Sequence, residues 1–258
     1  MTFEKGAEVA RGKTKILFES TDGSHRLVVL QTDTISAGDG ARRDTIAGKG
    51  RLAAMTTARV FRYLNASGVR THYLAGGEDE EENEMLVRRC AMIPLEVVVR
   101  GIVAGSYAKR HPQLERGSAL SPRVVEFFFK DDEHHDPMIS VEEIASRQIA
   151  SQGEIETMTQ TARHVFDLLE RAWRARDVAL VDLKIEFGRQ TDPASAAEVI
   201  VADVVDNDSW RIWPHGDESA MLDKQIYRNL ERRDRESLQR VKRAYERVAA
   251  AVGDFGPR

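Results

Sequence analysis

The sequence predicts an α+β protein in two lobes, and three observations carry that expectation. Strand-like runs rich in β-branched and aromatic residues fill most of the N-terminal third. The clearest apolar stripe at helical spacing comes much later, between Glu154 and Arg174. It is followed at once by LVDLKIEFG (Leu180–Gly188), a strand on which Val181, Leu183, Ile185 and Phe187 alternate with Asp182, Lys184 and Glu186. A chain of 258 residues, 41% of them hydrophobic, suffices for one large core or two smaller ones. The expected division is a β-rich lobe over residues 1–90 and an α/β lobe over 91–258, with Pro94 as the break between them.

Taken in order, EVARGKTKILFES and HRLVVLQT read as strands joined by a turn at TDGS, Thr21–Ser24. The glycine-rich stretch TDTISAGDGARRDTIAGKG reads as a polar loop. A helix fits from about Arg51 to Asn65, with Leu52, Met55, Val60, Tyr63 and Leu64 inward and Gly68 beyond its end. The acidic run Glu78–Glu84 suits a solvated hairpin tip. EMLVRRCAMIPLEVVVRGIVAG returns to strand character. After the long helix and the charged strand, RQTDPASAAE leads into VIVADVVD, read as that strand's hairpin partner. A last amphipathic helix runs from about Asp234 to Val252, with Leu238, Val241, Tyr245, Val248 and Val252 inward.

The bulk numbers exclude several classes. Charged residues make up 31% of the chain but the net charge is only −4, which argues against a general nucleic-acid binder. One cysteine, Cys90, cannot form an internal disulfide, and among apolar neighbours it reads as filler rather than nucleophile. No apolar run approaches ~18 residues, and MTFEKGAEVARGK lacks a signal-peptide core. A cytoplasmic protein without membrane contact is expected.

The chemistry concentrates around the charged strand. Asp203 interrupts the apolar run Val199–Val205, where a carboxylate is costly unless cations or donors meet it. If the two strands pair, Asp203 comes near Asp182, Lys184 and Glu186, three acids around one lysine. Carboxylates on rigid strands suit Mg²⁺, a hard cation that bridges to substrate phosphates. A solvent-facing, salt-bridged hairpin is the alternative, but it gives no reason for Asp203. ARGKTK fails as a Walker A loop: the glycine that motif needs five residues before its last is Ala7, and a strand-like run follows. What remains is Gly12 with Lys13 and Lys15 on one strand face, a pair that can cover phosphates or simply guard a sheet edge. In SAGDGAR, Ser36, Gly38, Asp39 and Gly40 form either a tight turn or a loop offering N–H groups to a ligand. VRGIVAGSYAKR gathers Arg100, Ser106, Lys109 and Arg110 around two glycines, a combination that favours phosphate. FFFKDDEHHDP adds Lys130 and Asp136, while the adjacent His134 and His135 point apart and make a poor metal pair.

Together RGKTK, SAGDGAR, VVVRGIVAGSYAKR, FFKDDEHHDP, LVDLKIEFG, ADVVDNDSWRIWP and DKQIYR resemble, in order, the SAICAR synthetase (phosphoribosylaminoimidazole-succinocarboxamide synthase) family. The resemblance spans roughly residues 8–250. Bacterial members commonly read DE[IF]SPD where this chain has DVVDND, so Val204 and Asn207 depart from that pattern. The version here is similar to the synthetase half of the bifunctional animal enzymes, without a second, carboxylase domain, whereas SAGDGAR resembles the bacterial form.

The resemblance implies a SAICAR synthetase-like fold, a β-rich lobe over an α/β lobe with ATP between. It implies ATP- and Mg²⁺-dependent joining of L-aspartate to the carboxylate of carboxyaminoimidazole ribotide (CAIR) in purine synthesis, through an acyl phosphate. By matching motif, Lys13 and Lys15 would approach the ATP phosphates and the connector Arg88–Met92 the adenine, with Met92 at its end. Glu186, Asp203 and Asp136 would serve the metal. Arg100, Ser106 and Arg211 would hold the CAIR phosphate, with Lys130 also on the substrate side. Asp182 and Lys184 would face the ribotide and the reacting carboxylate. Ser36, Gly38, Asp39, Gly40, Asp208 and Arg228 would receive aspartate. A homo-oligomer is open, as is a paralogous ligase of secondary metabolism that uses another amine or ribotide.

Overall fold

The first strand-like run folds into a hairpin rather than one strand. In the computed structural model, which describes residues 3–22, 25–38, 40–79, 81–192 and 198–256, β1 (Lys5–Arg11) turns back into β2 (Lys15–Ser20). The turn is closed by the Gly12 N–H donating to the Lys15 carbonyl at 2.9 Å. Lys13 therefore sits in the turn and does not share a strand face with Lys15. β3 (Arg26–Gln31) pairs with β2, and β7 (Glu84–Arg88) and β6 (Tyr73–Ala75) complete an antiparallel sheet ordered β1-β2-β3-β7-β6.

The segment read as a glycine-rich loop is itself a small hairpin, β4 (Thr34–Ala37) with β5 (Arg42–Thr45). Its strands are only four residues each, too short for periodicity to reveal. Helix α1 (Lys49–Ala66) follows. Asp33 fixes its start, accepting from the Gly48 and Gly50 N–H groups at 3.0 and 2.9 Å.

The chain then enters a second sheet through β8 (Cys90–Ile102). Pro94 does not end this strand. The break lies at Arg89, and Pro94 sits where the pairing of β8 slips between Glu96 opposite Glu186 and Met92 opposite Gly188. Proline has no N–H for the ladder, so a local irregularity accommodates it. Its carbonyl still accepts from the Lys130 N–H at 3.1 Å. The remaining elements are α2 (Gly105–Arg110), β9 (Ala119–Phe129), β10 (Met138–Ile139), α3 (Val141–Ser146) and α4 (Gln152–Arg174). β11 (Val178–Gln190), β12 (Val199–Ala202), β13 (Trp210–Pro214), α5 (Gln225–Arg228) and α6 (Arg235–Val252) complete the chain.

The second sheet is ordered β10-β9-β8-β11-β12, with β13 also pairing β11. The charged strand β11 is thus central and covered by α4, whose Phe166, Leu169 and Trp173 join Leu183, Ile185 and Phe187 in the core. Val181 leaves that face. The register with β13 slips between Leu180 and Asp182, and Val181 packs instead with Ala104 and Trp213. Among the described residues, no helix is long and apolar enough to cross a membrane.

Candidate active site

An open cleft of about 630 Å³ lies between the β1–β2 turn and the charged face of β11. Lys13, Lys15 and Ser36 line it from the N-terminal side; Lys130, Asp136, Lys184, Glu186, Asp203 and Asp208 line it from the other. Nine of the residues singled out in the sequence meet there. Arg43, on β5, donates to the Lys13 carbonyl at 3.4 Å and ties the hairpin turn to the small β4–β5 ribbon.

The floor is a lattice of alternating charge. Lys184 Nζ donates to Glu96 Oε1 at 2.7 Å and to Glu186 Oε1 at 3.3 Å. Lys130 Nζ takes the other Glu186 oxygen at 2.6 Å. Burial works against the Glu186 charge, yet Lys184, Lys130 and Lys15 together hold its carboxyl down at about 2. Lys15 forms an ion pair with Asp203, and burial pulls its ammonium down to about 8 despite the attraction of Glu186. For Lys184 burial acts in the same direction, but Glu186 and Glu96 outweigh it and raise the ammonium above its ordinary value.

The expected group of three acids around one lysine is split in two. β12 pairs with β11 only over Glu186–Arg189, so Asp203 lies beside Glu186. Asp182 is four residues away, about 13 Å along the strand at the usual rise, where β13 takes over the pairing. There it meets guanidinium groups instead. Arg100 donates to Asp182 at 3.2 Å, to Glu126 at 2.5 Å and to the Ser106 hydroxyl at 3.3 Å. Arg211 also pairs with Asp182, and Arg110 with Glu126. Three guanidinium groups against two carboxylates leave one net positive charge around Ser106, a setting for a phosphate.

A third group forms the far wall. Asp208 accepts from Lys224 Nζ at 2.6 Å and from the Tyr245 hydroxyl at 2.7 Å. Lys224 also lines the cleft. It stands in DKQIYR, where only Arg228 drew attention, and nothing in its spacing marked it. Glu96 was missed too, though as an acid inside the apolar run IPLEVVVR it carries the same signal as Asp203.

Besides the Asp182, Arg100, Ser106 and Arg211 group, other expected residues also lie outside the cleft lining. Met92 is exposed on β8. Gly38 and Gly40 occupy the β4–β5 turn, and Asp39 falls outside the described residues. Arg228 is exposed at the end of α5, where its carbonyl accepts from Arg42 at 3.1 Å. Cys90 is half-buried, and burial pushes its thiol up to about 11, so it is no thiolate nucleophile at neutral pH.

The three carboxylates expected to share a metal are not assembled. Among the described residues no three His, Cys, Asp or Glu side chains stand together as a metal site. Lysines occupy Glu186 and Asp203, and Asp136 Oδ1 accepts from the Asp131 N–H at 2.7 Å. Glu186 and Asp203 do fit Mg²⁺ of the kind held by one or two carboxylates plus substrate phosphates.

A family model described as SAICAR synthetase matches residues 8–246. A protein of Herpetosiphon aurantiacus named phosphoribosylaminoimidazole-succinocarboxamide synthase is 51% identical over 97% of this chain and 98% of its own length. A bifunctional carboxylase/synthetase of Drosophila melanogaster is 38% identical over 99% of this chain, which covers 59% of that longer protein. Among solved structures, the phosphoribosylaminoimidazole-succinocarboxamide synthase of Ehrlichia chaffeensis superposes with a TM-score of 0.84 at 28% identity, over 98% of this chain and 100% of the other. A SAICAR synthetase in complex with ADP gives 0.82 at 30% identity, over 96% and 99% of the two chains.

Proposed function

The chain belongs to the SAICAR synthetase family, and from that premise we propose how its residues divide the work. The activity is the ATP-dependent joining of L-aspartate to CAIR to give SAICAR in purine synthesis. A paralogous ligase with a different amine is not favoured, since several relatives about half identical over nearly the whole chain carry the synthase name.

A carboxylate is a poor electrophile, so the CAIR carboxylate first attacks the γ-phosphorus of ATP and releases ADP. The aspartate amine then attacks the acyl carbon of the resulting acyl phosphate. Phosphate leaves with the C–O bond electrons, and the amine gives up a proton. Lys13 and Lys15 cover the phosphates from the β1–β2 hairpin, and Lys184 steadies the charge on the transferred group. Glu186 and Asp203 would hold Mg²⁺, which supplies neutralisation of the phosphate charge when bound, with Asp136 as a further carboxylate on the CAIR side.

The adenine lies along the backbone of the Arg88–Met92 connector, which places ATP between the 1–90 and 91–258 lobes. Arg100, Ser106 and Arg211 hold the CAIR phosphate, and Asp182 orients both guanidinium groups toward it. Lys130 neighbours the CAIR carboxylate. Ser36, the Gly38–Gly40 turn, Asp208 and Arg228 receive aspartate.

The observation that supports this division most is the run of distinct charge along one strand face. A guanidinium cluster stands at Asp182 and a lysine lattice at Lys184 and Glu186, with the Asp208–Lys224 pair beside them in the segment between β12 and β13. The test is incubation with CAIR, L-aspartate and MgATP. ADP and SAICAR should appear together, and their absence with folded protein would overturn the reading. Replacing aspartate by other amines should leave ADP release near background.

A further inference from the structure

Lys49, Asp206 and Tyr245 lie beneath the cleft wall and have no part in the division above. Lys49 opens α1 and is 1% exposed, one of the largest fully buried side chains among the described residues. Its placement runs against local preference. Burying an ammonium costs several kcal/mol, and the start of a helix is the wrong end of the dipole for a cation. The first turn of α1 holds no acid to offset it. Such a residue needs its compensation from elsewhere in the fold.

That compensation comes from the turn after β12 and from α6. Lys49 Nζ stands 5.6 Å from the centre of the Tyr245 ring, within cation–π range. The Tyr245 hydroxyl donates to one Asp208 oxygen and Lys224 Nζ to the other, at 2.7 and 2.6 Å. The Asp208 N–H donates to Asp206 Oδ1 at 2.8 Å, and Asp206 is 2% exposed. A buried carboxylate and a half-buried one two residues apart cannot both ionise cheaply without cations nearby. Burial and the Asp208 charge raise Asp206, against the pull of Lys49 and Lys224. Burial also opposes ionisation of Asp208, but Lys224 and Lys49 more than offset it and lower that carboxyl. Arg228 adds a weaker positive influence on Tyr245, while Arg51 and Lys242 stand near the neighbouring Gly48.

We propose that Lys49 is a positioning residue for the amino-acid substrate: its buried ammonium balances the Asp206–Asp208 turn and, seated over the Tyr245 ring, fixes Asp208 beside Lys224, so that the two form an anion–cation pair matched to a zwitterion. Only Asp208 and Lys224 line the cleft; Lys49 acts through them. The inference rests on the assignment of Asp208 to the aspartate site, and the two can fail separately.

Steady-state kinetics of Asp208→Asn, Lys49→Met and Lys49→Met/Asp206→Asn test them, with folding followed by circular dichroism. Asp208→Asn should raise KM for aspartate at least ~10-fold; no rise would sink the site assignment itself. Lys49→Met should raise the same KM ~10-fold while KM for ATP stays within ~2-fold. Removing the Asp206 charge as well should bring the aspartate KM back to within ~3-fold of the parent. If Lys49→Met does not fold, a folded double variant with that recovered KM still supports the proposal. An unchanged aspartate KM in Lys49→Met, a parallel rise in both KM values, or no recovery in the double variant overturns it.

Discussion

Gly105 shows how a single residue without a side chain makes room for the guanidinium cluster around Asp182. Its φ is +52°, and a Cβ there would lie 2.5 Å from the Arg211 guanidinium, which is held against Asp182. The VRGIVAGSYAKR motif draws attention to its Arg and Ser side chains and gives the glycines no role of their own, whereas the structure uses the missing Cβ of this one as room for an arginine. Alanine there meets two penalties: a left-handed backbone costing roughly 1–2 kcal/mol, and displacement of Arg211 from Asp182. Gly105→Ala should raise KM for CAIR about 10-fold, leave KM for ATP near the parent value and lower the melting temperature by a few degrees. Kinetics with each substrate varied in turn, plus a thermal scan, check this. An unchanged CAIR KM would separate Gly105 from the phosphate site.

At the scale of elements, α4 is where local signals and tertiary packing agree best. Ser151 and Glu154 form a reciprocal capping box, and the Glu154 carboxylate also receives Arg189 of β11 at 2.6 and 3.1 Å. Arg189 foremost, with the Ser151 groups behind it and burial opposing, holds the Glu154 carboxyl down at about 2. Its folded value is below its ordinary 4.5, so the stabilisation is present above about pH 4.5 and fades as pH falls toward 2. Glu154→Gln should cost about 1 kcal/mol at neutral pH, and the gap to the parent should close in acid. Urea midpoints at about pH 7 and pH 3 measure it; a gap that persists undiminished in acid would refute the link. Periodicity made this helix and β11 legible, because 3.6-residue and two-residue repeats survive in the sequence. It could not show which cation meets which acid. That depends on register between strands far apart in the chain, as when Asp203 lands beside Glu186 while Asp182 falls to Arg100 and Arg211. Nor could it show that the Gly12 turn parts Lys13 from Lys15, or that Pro94 sits inside a strand instead of ending it, since both are settled by the neighbouring strand.

Across the whole molecule, the Lys15–Asp203 pair joins the N-terminal sheet to the turn after β12, and nucleotide bound at the proposed site would compete for it. Around it, Lys15, Lys130 and Lys184 balance Glu96, Glu186 and Asp203, three cations against three anions. A nucleotide brings several negative charges into this neutral set. Without a divalent cation, phosphates would compete with Glu186 and Asp203 for the same lysines. With one, Glu186 and Asp203 would hold the metal and leave the lysines for the phosphates. ADP should therefore stabilise the fold weakly alone and strongly with Mg²⁺. At 100 times its dissociation constant, MgADP should add about 2.7 kcal/mol, several degrees in melting temperature for a chain of this size. Asp203→Asn keeps a residue type tolerant of the left-handed backbone at this position, where φ is +66°. It should stay folded yet lose most of the difference between ADP and MgADP. Thermal scans of parent and variant with ADP, with and without Mg²⁺, read this without any turnover. If Asp203→Asn retains the full Mg²⁺-dependent gain, Asp203 serves only as the partner of Lys15, and the metal depends on Glu186 without it.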